Sequence, residues 1–157
     1  MRLDTLIFET RKLFITRVDK LNILEVTINE DMLASVHVEN LVSVCSRSLF
    51  ALRVLRAYGL PDEALHSVTR ATTVARLMYA APSWWGITAE KDRAKIERLY
   101  NRLKRMGYLP ADAPSIPALV DQAGASLFRS IHLNPAHVLR HLLPPTVQHA
   151  YCVRPTP

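Results

Sequence analysis

The chain has 157 residues, 49% of them hydrophobic, and 20 Lys and Arg against 14 Asp and Glu give a formal net charge of +6. That length and apolar content suffice for a real core and exclude wholesale disorder, while the positive balance favours anionic partners such as nucleic acid. Two distant cysteines, Cys45 and Cys152, exclude a disulfide framework and a CxxC metal pattern, and no apolar run approaches a membrane span or a signal peptide. These observations point to the cytoplasm or nucleus rather than secretion.

Within residues 1–36, the runs LIF, LFI and ILEVTI read as short β-strands. In the last of them Leu24, Val26 and Ile28 share one face by period-two alternation, which predicts an apolar strand face left exposed for a sheet partner. From His37 the period changes. Val38, Leu41, Val42, Cys45, Leu49, Leu52 and Leu55 recur at helical steps, and Gly59 supplies a left-handed end. Pro61-Asp62-Glu63 opens a second helix, which is apolar around much of its circumference up to Tyr79 and is expected to be buried. A third helix is expected from Thr88, as N-cap, to Met106, with an inward seam of Ile96, Leu99, Leu103 and Met106. Ile116, Leu119, Val120, Ala123, Leu127, Phe128 and Ile131 predict a fourth helix, and a short fifth is expected from Pro135 to Leu143. The predicted fold is therefore mainly α within an α+β class: a β-strand segment at 1–36, a three-helix unit at 37–107, further helices at 108–144 and an irregular Pro-rich tail at 145–157.

Two features stand out as candidate sites. Lys91, Lys95, Arg98, Arg102 and Arg105 step by four, three, four and three, so they line one face of the third helix, about 100° from its apolar seam. Such a ridge either tracks a phosphate backbone or is an ordinary solvated face. The stretch YAAPSWWG, with Tyr79, Pro82, Trp84, Trp85 and Gly86, reads as a joint in which Pro82 ends the second helix and Gly86 makes the turn. Its tryptophans either pack over helix ends or stack on bases. His137 and His141 share a helical spacing, but Val138 stands where a zincin needs Glu, and no metal site is assigned. No nucleophile elbow or Gly-rich phosphate loop is present, and no catalytic residue is assigned.

Taken together, SLFALRVLRAYGLPDEAL, RLMYAAPSWWG, DRAKIERLYNRLKRMGYLP and LFRSIHLNPAHVLRHLLPP resemble, in order and spacing, the segment that follows the polymerase core in non-LTR (LINE, jockey-like) retrotransposon reverse transcriptases. The resemblance covers about residues 20–154. It implies the end of a palm followed by a helical thumb that grips the template-primer duplex through its backbone. The family's catalytic [FY]-x-D-D motif, which binds Mg²⁺ in the intact enzyme, has no counterpart here, since no Asp-Asp pair occurs. Glu25 also stands where the family's LGV strand has glycine. The resemblance thus implies a truncated fragment of an RNA-directed DNA polymerase, without the fingers and most of the palm, and without cofactor or chemistry of its own. The alternative is a structural remnant of a mobile element that binds no nucleic acid.

Overall fold

The computed structural model describes residues 18–144. The runs LIF and LFI and the tail at 145–157, with His149 and Cys152, lie outside the described residues. Two short strands come first, β1 (Lys20–Ile23) and β2 (Val26–Asn29), paired antiparallel with Ile23 opposite Val26 and Leu21 opposite Ile28. ILEVTI is therefore not one strand. The chain reverses at Leu24 and Glu25, both at positive φ (48° and 68°), the sign pattern of a two-residue type I′ hairpin turn. Neither residue has the glycine or asparagine chemistry of that turn, so the sequence pattern conceals it. Val26 is buried and Ile28 half-buried against the helices. The expected exposed apolar face is thus covered on β2, and the uncovered apolar residues are Leu21 and Ile23 on β1 and Leu24 at the turn.

Helix α1 (Ser35–Ala57) buries Val38, Leu41, Cys45, Leu49 and Leu52, the stripe its periodicity predicts. Gly59, at φ 84°, ends it as expected: Leu60 N–H reaches back to the Leu55 carbonyl (3.1 Å) and Gly59 N–H to that of Arg56 (3.0 Å). The second helical segment is interrupted. α2 (Asp62–Thr69) runs through a π-helical turn at Arg70–Val74 into α3 (Ala75–Met78). Leu65, Thr69, Thr73 and Leu77 are buried, but Ala71, Ala75, Arg76 and Tyr79 are exposed, so the expectation of burial all round holds for one face only.

The joint contains α4 (Ala81–Trp84) and a 3-10 turn (Trp85–Ile87), before α5 (Glu90–Arg105). α5 buries Ile96, Leu99 and Leu103 as predicted, with Met106 packed beside them, and adds Asp92 and Tyr100. Ala89, not Thr88, holds its N-cap position; the Thr88 hydroxyl instead donates to the Trp84 carbonyl (2.8 Å). Gly107, at φ 71°, closes α5, and Tyr108 N–H returns to the Leu103 carbonyl (2.9 Å). The following loop is pinned by Tyr100 Oη donating to Pro114 O (2.9 Å) and Lys104 Nζ to Ala113 O (2.7 Å).

α6 (Ile116–Leu133) starts at Ser115, whose hydroxyl accepts from Ala118 N–H, and packs its first half on α4 and α5. Its second half leaves Leu127, Phe128 and Leu133 exposed. The expected fifth helix is absent. Asn134 and His137 hold turns instead, through Asn134 Oδ1 accepting from Ala136 N–H and His137 Nδ1 from Leu139 N–H, and only a 3-10 turn forms at Arg140–Leu142. Mainly helical structure after short N-terminal strands is the predicted class.

Candidate nucleic-acid interface

The ridge on α5 is carried by a flank of the helix, about 100° around from its apolar seam. Burial of Ile96, Leu99 and Leu103 fixes the rotation of the helix, and that rotation leaves Lys91, Arg98, Arg102 and Arg105 exposed. No ion pair with a described residue engages these four cations. Arg98 folds its Nε–H onto the Ala94 carbonyl of its own helix (3.1 Å).

Lys95 departs from the pattern. Its Nζ lies 2.8 Å from Asp92 Oδ1 and 3.6 Å from Glu39 on α1. At about 100° per residue Lys95 sits roughly 40° from Lys91 toward the seam, the edge of the ridge closest to the core, so it is drawn into the helix contact. Asp92 is 1% exposed, and its carboxyl is held below the usual carboxylate range, chiefly by the hydrogen bond from Lys95, with Ser35 and the charges of Lys95 and Lys91 assisting against the opposing effect of burial. Lys95 is correspondingly shifted up, first by Asp92. The ridge is four cations, not five.

At the other end of α5, Arg56 of α1 donates Nη1–H to the Met106 carbonyl (2.6 Å) and Nη2–H to that of Gly107 (2.9 Å). Its guanidinium stands 4.2 Å over the Tyr108 ring and 3.7 Å from Asp62, and His66 Nε2 lies 3.2 Å from Gly107 O. Contacts at Glu39–Lys95 and at Arg56–Met106 mean that α1 and α5 run parallel, start beside start and end beside end. Parallel helices place like ends of their dipoles together. Here an anion, Asp92, sits among the positive ends and a cation, Arg56, among the negative ones. Sequence reasoning missed Arg56; the available signal was an arginine in the last helical turn before a capping glycine.

The joint holds the ridge in place without exposing its indoles. Trp84 is 1% exposed, donates Nε1–H to the Tyr79 carbonyl (2.9 Å) and meets the His37 ring edge-on at 5.1 Å. Burial holds the His37 imidazole below its ordinary pKa. Trp85 is half-buried under Arg93, whose guanidinium is 5.3 Å from the ring centre and whose Nη2–H donates to the Trp85 carbonyl (2.9 Å). Trp84 is thus a packing residue, not a base-stacking platform; of the joint aromatics only Tyr79 is exposed. Pro82 opens α4 rather than simply ending the previous helix, which has already stopped at Met78. The left-handed residue of the turn is Ala80 (φ 49°), not Gly86, where an added Cβ would meet nothing within 4 Å.

His137 and His141 do not share a helix, and among the described residues no group of three or more His, Cys, Asp or Glu is placed to hold a metal ion. Cys45 is a buried thiol pushed up to about 11 by that burial. Among the described residues no helix is long and apolar enough to cross a membrane. Compared with known proteins, the chain matches no family model, no curated protein and no solved structure.

Proposed function

We propose that this chain is a thumb-like fragment of a non-LTR retrotransposon reverse transcriptase that grips a nucleic-acid duplex through its phosphates and performs no chemistry itself. The observation that carries this reading is the ridge of Lys91, Arg98, Arg102 and Arg105, exposed and without ion pairs to described residues on a helix whose apolar seam is locked into the core. Cations in such a row meet phosphates and release counterions without reading bases. The order of the four sequence segments described above supplies the family, and the missing Asp-Asp pair supplies the lack of catalysis.

A salt titration of binding to a short duplex tests the proposal. Each phosphate engaged contributes about 0.9 to the slope of log affinity against log salt, so four contacts give roughly 3 to 4. Arg98→Glu with Arg102→Glu should reduce the slope by about two, weaken binding to every sequence alike and leave the helical signal intact. Unchanged affinity in the double variant would make the ridge a solvated face and favour the structural remnant.

A further inference from the structure

A cleft of about 890 Å³ opens between the hairpin, α1 and the second helical segment, and none of its lining residues belongs to the α5 ridge. Its size lies within the range of small-molecule sites. Two backbone irregularities border it. The π-helical turn contributes Ala71 and Thr72, and the left-handed Glu25 contributes from the hairpin turn. Such turns and strained positions concentrate at functional sites. Ala71 and Ala75 are exposed on this face, and their small side chains leave room that larger ones would fill.

Ser48 and Thr72 of the lining donate to carbonyls of their own helices, but four other polar groups are uncommitted. Asn22, Asn40, Arg76 and Tyr79 make no side-chain hydrogen bond or ion pair with any described residue. We propose that the cleft binds a nucleoside monophosphate, either free or as the terminal nucleotide of a strand. Arg76 is the cation for the phosphate, since its planar fork matches phosphate oxygens. Tyr79 offers the exposed ring on which a base stacks, against the small aliphatic wall of Ala71 and Ala75. Asn22 and Asn40 each present a donor and an acceptor, the pair that matches the edge of adenine. Glu25, the one carboxylate of the lining, opposes additional phosphates and selects a monophosphate over a triphosphate.

Calorimetric titration with AMP, ATP and a short single-stranded oligo(dA) tests this site. AMP should bind saturably and more tightly than ATP. Ala75→Leu, which fills the cleft, and Arg76→Gln, which removes the cation, should each weaken it at least tenfold, with folding verified by circular dichroism; both residues are exposed, and either variant suffices if the other unfolds. Binding of AMP but not the oligonucleotide identifies the free nucleotide as ligand; oligonucleotide binding that Arg76→Gln weakens and that persists in the Arg98→Glu, Arg102→Glu variant identifies a strand end. Arg98→Glu with Arg102→Glu should leave AMP affinity unchanged, so this site and the duplex grip can fail separately. Absence of saturable AMP binding together with oligonucleotide binding that is absent or does not depend on the cleft residues, or AMP binding that survives both cleft substitutions, overturns the proposal.

Discussion

Ala80 carries a left-handed backbone without being glycine, while Gly86, six residues later, does not use the freedom it has. A left-handed L-residue costs roughly 1–2 kcal/mol, against about 0.5–1 kcal/mol of extra chain entropy for glycine. Ala80→Gly should therefore raise stability by up to about 1 kcal/mol, and Gly86→Ala should be neutral or raise it by about 0.5 kcal/mol. Urea unfolding of both variants checks the assignment; the opposite signs would return the turn to Gly86. Asp92 makes a second residue-scale prediction. Its folded pKa lies below its unfolded value of about 3.9, so its stabilisation is complete above that pH and is lost as pH falls through the folded value. Asp92→Asn should cost about 1–3 kcal/mol at neutral pH, because it removes the buried carboxylate charge that pairs with Lys95. It should also flatten the acid limb below about pH 4, read from the urea midpoint as a function of pH.

Among the elements, α1 and α5 were legible because many turns of regular periodicity all face one core. Breaks that carry no local chemistry were not. Leu24-Glu25 has no turn residues, and the π-helical turn at Arg70–Val74, RATTV, holds no glycine or proline to mark its extra residue. α6 shows a different limit: its apolar stripe is correct as a pattern, yet a pattern does not say how much of the helix finds a partner. Ile116 and Val120 are buried, whereas Phe128 is 58% exposed, near Leu127 on the same helix. The site was legible to the same degree. Spacing located the ridge, but Lys95 was lost to Asp92 and Glu39, and Glu39 belongs to a helix more than 50 residues earlier. Exposed leucine and phenylalanine in this density favour association. The protein should self-associate with rising concentration, and Phe128→Glu with Leu133→Lys should shift it toward monomer in sedimentation velocity without lowering its unfolding midpoint.

At the scale of the whole molecule, one continuous core joins β2, α1, the second helical segment, the joint, α5 and the start of α6. The positive ridge is carried by α5, which this core holds against α1. α5 is fastened to its parallel neighbour at both ends, by Lys95 to Glu39 at the start and by Arg56 to Met106 and Gly107 at the finish. A rod bolted at two points cannot pivot on either. If the chain grips a duplex as proposed, its closing would not be a swing of α5 alone: α1 and α5 would travel as one lever, carrying the hairpin that β2 packs against α1, with the hinge outside the pair.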